Sequence, residues 1–237
     1  YNYPQIIMVE VMGRHAGWLA AASVLASHKG AGPDLIYLPE RHFSLEQFER
    51  DVRAVHEQKG DVMVCISEGC QDRQGRFIAE MFEDSNLKTD AFGHKQLGGA
   101  AATLASFVKE KFDIKVRAIE FSLLQRCAAH LASPVDVGEA FQAGEAALKF
   151  ALEGYSDFML GFERISNAPY EIKMIRVPLA ECANLEKTVP DEWINEAGNF
   201  VLQPFIDYTL PLIQGETECI EADGLPLFAN LKRVLVK

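Results

Sequence analysis

IIMVEVMGRHAGWLAAASVLASHKG, residues 6 to 30, holds a strand, a turn and a helix in succession, and its reading decides the fold. Residues 6–11 are apolar and β-rich, the composition of a buried strand. Residues 16–28 are helix formers, and Trp18, Leu19, Ala22, Leu25 and Ala26 recur at helical spacing, which predicts one helix closed by Lys29 and Gly30. Met12, Gly13 and Arg14 fall between the two, where unpaired backbone N–H groups and the positive end of the helix dipole are expected to face an anion.

The same plan repeats outward. Residues 35–38 form a short strand, Ser44 with Gln47 makes a capping box, and Leu45, Phe48, Val52 and Val55 line one face of a helix that Gly60 stops. Residues 62–67 are a third strand that ends in Glu68-Gly69, and 98–112 are helical. Residues 115–121 are a fourth strand leading to Gln125-Arg126. Between them, 70–93 is expected to be an insertion or long loop. Ser133, Pro134 and Asp136 open a further helix, with Val137, Ala140, Phe141, Gly144, Leu148 and Ala151 as its expected buried stripe. Residues 157–164 and 170–177 pair as a hairpin, and 200–212 are helical. Strands alternating with helices predict an α/β fold, a mainly parallel sheet with helices on both faces, whose ligands bind at the carboxyl ends of the strands.

With 237 residues, 49% hydrophobic and 24% charged, the chain has enough apolar material for a large core. Its longest nearly apolar run, 16–26, is too short to cross a bilayer, and no leader opens the sequence, so a cytoplasmic protein is expected. The net charge of -11 argues against nucleic-acid and membrane partners, and requires any anionic ligand to be held by a few placed arginines. Five cysteines without a CxxC pair and six histidines without i, i+4 spacing leave no disulfide framework or zinc site to expect.

The strand ends yield Met12-Gly13-Arg14, Ser67-Glu68-Gly69 and Gln125-Arg126. Guanidinium forks hold phosphate by paired charge-assisted hydrogen bonds, and a carboxylate accepts from sugar hydroxyls. The same residues have plainer readings, since an arginine behind a buried strand is often a surface or ion-pair residue and Glu68 suits a turn cap. His15 is expected to be a structural partner of the helix start, Cys127 to be inert, and Trp18 and Phe141 to belong to the core. The glycine-rich stretch 94–99 could cradle a phosphate but reads first as a turn.

VEVMGRHAGWLAAAS, residues 9–23, closely resembles the signature of the phosphofructokinase family, in which the MGR triplet contacts fructose 6-phosphate. ISEG at 66–69 resembles the strand end whose glutamate binds the sugar, and VRAIEFSLLQR at 116–126 resembles the segment carrying two phosphate-binding arginines. DAFGHKQLGG, QRCAAHLAS and VPDEWINEAGNFV are similar to the pyrophosphate-using clade.

The resemblance implies the C-terminal part of such an enzyme, which phosphorylates the 1-hydroxyl of fructose 6-phosphate in glycolysis. Residues 1–126 would be the sugar-phosphate-binding domain, and 127–237 a returning helix, hairpin and tail packed on an N-terminal domain. Its implied substrate-binding residues are Met12, Gly13, Arg14, Glu68, Arg117, Gln125 and Arg126. Arg126 would serve its own subunit and Arg117 a neighbour's, which implies a homo-oligomer, a dimer or tetramer. Two departures stand out. Leu123 replaces a family His or Tyr that helps hold the phosphate, and leucine donates no hydrogen bond. The GGDGS-type and TIDND-type stretches are absent, so the catalytic aspartate and the ligands of Mg2+ are expected upstream of Tyr1. An ATP-dependent phosphofructokinase and a non-catalytic sugar-phosphate-binding regulatory subunit remain as alternatives.

Overall fold

Side chains on three of four short strands alternate between two apolar faces that helices cover, while the edge strand Lys115–Glu120 stays largely exposed. The computed structural model describes residues 3–82, 99–218, 220–228, 230 and 232–234. In chain order the first half runs β1 (Gln5–Val11), α1 (Trp18–Ala22), β2 (Leu35–Tyr37), α2 (Leu45–Lys59), β3 (Val62–Ser67), α3 (Ala100–Lys111) and β4 (Lys115–Glu120). The second half runs α4 (Pro134–Leu152), β5 (Phe158–Asn167), β6 (Tyr170–Pro178), α5 (Leu179–Cys182), α6 (Gln203–Thr209), β7 (Glu221–Ala222) and β8 (Leu225–Pro226).

The sheet has the order β2-β3-β1-β4, and every pair in it is parallel. Val11 is level with Ser67, and Glu10 with Glu120, so three carboxyl ends reach one edge together. On one face Ile6, Met8, Val64 and Ile66 meet Phe48 and Val52 of α2 and Leu104 and Val108 of α3. On the other, Val11, Ile36, Leu38 and Cys65 meet Ala20, Ala21 and Val24, together with Val189, Ile194, Val201 and Phe205 from far along the chain. Each such large side chain contributes roughly 1.5–3 kcal/mol by leaving water. Trp18 seals this second face, stacking on Phe205 and donating its indole N–H to the Lys187 carbonyl at 2.7 Å.

The structure differs from expectation at three helices. The stretch 16–28 is not one α-helix but the short α1 followed by a 3-10 segment, Ser23–Lys29. Gly17 is wedged against Leu38, Pro39 and Glu40, which delays the start, and the Ser23 hydroxyl donates to the Ala20 carbonyl at 2.6 Å as the winding tightens. Stretch 200–212 divides likewise into α6 and a 3-10 segment, Leu210–Ile213, where Pro211 has no N–H to continue the α ladder. In α4 the cap is as read, Ser133 Oγ accepting from the Val135 N–H at 3.2 Å, but the expected buried stripe is open. Phe141 is 74% and Leu148 62% exposed. Phe141 therefore does not belong to the core. The packed face carries Glu139, which bonds the Tyr170 hydroxyl, and Phe150, whose ring meets Tyr155 and Phe158 edge-on.

Only half of the capping box at α2 forms. Ser44 Oγ accepts from the Gln47 N–H at 3.3 Å, while the Gln47 side chain turns to Asp51 at 2.6 Å. Residues 83–98, which hold the latter part of the expected insertion and most of the glycine-rich stretch, lie outside the described residues. Among the described residues no helix is long and apolar enough to cross a membrane.

Candidate functional site

Hydrogen bonds knit the carboxyl ends of β1, β3 and β4 into one unit. Just past β1, the Met12 N–H donates to Gln125 Oε1 at 2.7 Å and the Gly13 N–H to Glu68 Oε1 at 3.3 Å. The Glu68 N–H donates to the Val11 carbonyl at 3.0 Å and the Phe121 N–H to the Glu10 carbonyl at 3.2 Å. The Ser67 hydroxyl donates to the Gly13 carbonyl. Glycine is required at two places here. Gly13 has φ of 147°, and a Cβ on it would sit 2.9 Å from the Ala16 carbonyl oxygen. A Cβ on Gly69 would sit 1.8 Å from the Arg14 carbonyl oxygen, so no side chain fits between the two segments.

The sequence predicted free N–H groups at the turn after β1, whereas those of Met12 and Gly13 are already bonded to side chains. The Glu68 carboxylate is the anion at the Gly13 amide. What the arrangement leaves free is its guanidinium groups. Arg14 is half-buried and Arg126 exposed, and neither has a hydrogen-bond or ion-pair partner among the described residues. Each follows immediately on a residue of the knitted unit, Arg14 on Gly13 and Arg126 on Gln125, so both belong to the same sheet edge. Arg117 is different. It is opposite Ile7 in the middle of β4, three positions short of Glu120, or about 10 Å down the strand. It too is exposed and unpaired among the described residues. Leu123 is 68% exposed on the 3-10 turn Ser122–Arg126 and brings no polar group to it.

One residue of this edge escaped sequence reasoning. Glu10 shares the face of Ile6 and Met8 and is buried, and its carboxylate accepts from the Ala101 N–H at 2.8 Å. Gly99, the N-cap of α3, has no side chain to cap with, and Glu10 supplies the missing acceptor from another strand. The Glu10 carboxyl is raised to about 7, chiefly by burial, with the Ala101 bond pulling against that and the negative charges of Glu120 and Glu68 adding to it. The signal was a lone carboxylate at a core-facing position of an apolar strand.

Nearby, His15 is exposed and Cys127 holds its S–H toward the Leu123 carbonyl at 3.2 Å. Cys70, buried behind Gly69, has its thiol pushed up by burial, away from reactivity. Among the described residues no three His, Cys, Asp or Glu gather to hold a metal ion.

The family profile described as Phosphofructokinase matches residues 3–121. The chain is 43% identical over 237 residues to the pyrophosphate–fructose 6-phosphate 1-phosphotransferase of Xanthomonas campestris pv. campestris (strain B100), covering 98% of this chain and 55% of that protein. It is 35% identical over 220 residues to the sulfofructose kinase of Alkalicoccus urumqiensis, covering 92% of this chain and 55% of that protein. The pyrophosphate-dependent phosphofructokinase of Marinobacter aquaeolei has a solved structure that matches this fold with a TM-score of 0.84 at 34% identity, covering all of this chain and 55% of that one. The chain spans about half the length of the curated relatives it matches.

Proposed function

The chain belongs to the phosphofructokinase family, and from that premise we propose that it supplies the sugar-phosphate half of an enzyme that transfers a phosphoryl group from pyrophosphate to the 1-hydroxyl of fructose 6-phosphate. Fructose 1,6-bisphosphate is the product. The observation that carries this reading is the pair of unpaired guanidinium groups, Arg14 and Arg126, on one hydrogen-bonded strand edge of a chain with net charge -11. A phosphate supplies the acceptors that these side chains lack.

Each residue takes a distinct part in this reading. Arg14 and Arg126 fork onto the 6-phosphate, and Glu68, with Oε1 on the Gly13 amide, offers its remaining lone pairs to a sugar hydroxyl. Met12, Gly13 and Gln125 hold the two arginine segments at a fixed separation. Arg117, exposed in mid-strand, reaches the site of a second copy in a homo-oligomer, a dimer or tetramer. Positioning and charge neutralisation provide most of the rate enhancement in such transfers. The donor site and the proton-accepting base come from the remainder of the enzyme. Mg2+ is the expected neutraliser of pyrophosphate charge, but the described residues do not fit such an ion, and its ligands belong to the remainder of the enzyme. Residues 189–209 pack on the sheet itself, and the rest of 127–237 completes the architecture by packing on that remainder. The setting proposed is cytoplasmic glycolysis, with neither nucleic acid nor membrane as partner, in keeping with the acidic charge.

The test is Arg126→Ala in the complete enzyme. Removing one phosphate fork should weaken fructose 6-phosphate binding by about 1.5–3 kcal/mol. The KM for pyrophosphate should stay where it was. Unchanged sugar affinity would remove Arg126 from the site. Assays with ATP, and with sulfofructose in place of the sugar phosphate, check the other two partners, and a preference for either would overturn that part of the assignment.

A further inference from the structure

Three carboxylates belong to the carboxyl-end edge of the sheet. Glu120 is exposed, Glu68 is half-buried with Oε1 on the Gly13 amide, and Glu10 is only 5% exposed. Water screens the first and a backbone donor steadies the second, whereas a charge on Glu10 is cut off from water. The charged groups that act on it are Glu120, level with it on β4, and Glu68, just past β3, and both are anions. From α3 it meets backbone alone, the Ala101 N–H at 2.8 Å, and the Cys70 thiol beyond Gly69 is kept neutral by its own burial. No cation of β3, β4, α2 or α3 is among these groups.

The same residue is tied to both arginine-bearing segments. Its carbonyl accepts from the Phe121 N–H at 3.2 Å, where the turn that carries Arg126 begins. The next carbonyl along β1, that of Val11, accepts from the Glu68 N–H at 3.0 Å. Arg14 is four positions further on, so its Cα is at most about 14 Å from that of Glu10. Across such a distance, through protein and not water, one unit of charge still alters the attraction between a guanidinium edge and a phosphate.

We propose that Glu10 is a positioning residue that makes the grip on the sugar phosphate depend on pH: protonated, it caps α3 as a neutral acceptor and leaves Arg14 and Arg126 to dominate the edge, whereas ionised, it sets an unscreened negative charge behind them and loosens the phosphate. This rests on the strand-end site being the sugar-phosphate site. Burial and the two neighbouring carboxylates bring the Glu10 carboxyl to about 7, so the change falls in the neutral range. Affinity is then highest below that value and declines as pH rises through it. By linkage, a phosphate bound at the edge favours the protonated form, and binding draws a proton in.

The test compares the complete enzyme with its Glu10→Gln variant, which keeps the acceptor for Ala101 and cannot ionise. Between about pH 6 and about pH 8.5 the KM for fructose 6-phosphate of the parent should rise roughly three- to tenfold relative to that of the variant. Ionisation of the sugar phosphate itself is common to both proteins and drops out of the ratio, and the KM for pyrophosphate should follow one pH course in both. Calorimetry on the parent alone, near pH 7.5 in buffers of different ionisation enthalpy, should find a fraction of a proton taken up per fructose 6-phosphate bound. Matching pH profiles in the two enzymes would reduce Glu10 to a cap for α3 and overturn the coupling, as would proton release or no exchange on binding. Arg126→Ala separates that failure from failure of the site: weakened sugar affinity there with matching Glu10 profiles overturns the coupling alone, and unweakened affinity overturns both.

Discussion

Glu10 shows how much one side chain can couple at this edge. Its carboxylate sits in a core-facing slot, caps α3 from a different strand, and shares its surroundings with Glu68 and Glu120. The folded protein holds this proton more tightly than an unfolded chain does, with the group moved from an ordinary 4.5 to about 7. Its contribution to stability is therefore whole below the lower value and lost as pH rises through the higher one. At about 1.4 kcal/mol per unit, the ionised carboxylate costs on the order of 3 kcal/mol. Glu10→Gln keeps an acceptor for the Ala101 N–H and removes the charge. Urea unfolding near pH 8 should find it more stable than the parent by roughly 2–3 kcal/mol, with the advantage gone near pH 4. A variant no more stable than the parent in mild alkali would show that the buried charge is solvated after all. Much of the candidate site was legible at this scale: Arg14, Glu68 and Arg126 stand out as charged residues in the segments just beyond strand ends. The bond from Met12 to Gln125 was not, because it joins positions 113 apart and depends on how two turns meet.

Elements were legible where a local rule decides them. Ser44 and Ser133 begin helices, and Gly60 ends one, through backbone geometry that needs no partner. Where tertiary contact decides, the sequence pattern was ambiguous. Helix α4 carries apolar residues on two faces, Val137, Phe141 and Leu148 on one, and Val135, Ala143 and Phe150 on the other, so periodicity alone could not select the packed one. The hairpin that follows selects the Phe150 face. Arg176 lies over the rings of Phe150 and Tyr155, and Arg164 over those of Tyr170 and Tyr208, which fastens the hairpin to α4 at one end and to α6 at the other. Phe150→Ala should therefore destabilise by roughly 1.5–3 kcal/mol, less than a fully buried ring would lose. Phe141→Ser should change stability by no more than about 0.5 kcal/mol. Thermal unfolding of the two variants side by side checks this, and a reversal of their order would mean that α4 is rotated about its axis.

At the scale of the whole molecule, the two halves of the chain are unlike. The sheet and its helices bury most of their apolar residues, Leu19 and Ile119 excepted, whereas α4, the β5–β6 hairpin and the 3-10 turns before them leave Leu124, Leu131, Phe141, Leu148, Phe162 and Ile165 more than half exposed. Residues 189–209 belong with the sheet in this respect, since Val189, Ile194, Val201 and Phe205 lie in its second core. Sequence periodicity did not anticipate that division, because it marks which residues are apolar and not which surface receives them. Monomers rarely expose a contiguous apolar patch beyond a few hundred Å². The 237-residue chain on its own should therefore bind the dye ANS and self-associate at micromolar concentration, as seen by sedimentation velocity. Phe141→Ser together with Leu148→Ser should reduce both effects while leaving the unfolding midpoint nearly unchanged, because neither side chain packs on the hairpin. If the parent chain sediments as a monomer without ANS fluorescence, the exposed stripe is covered from within the chain, and residues 127–237 need no further surface to pack on.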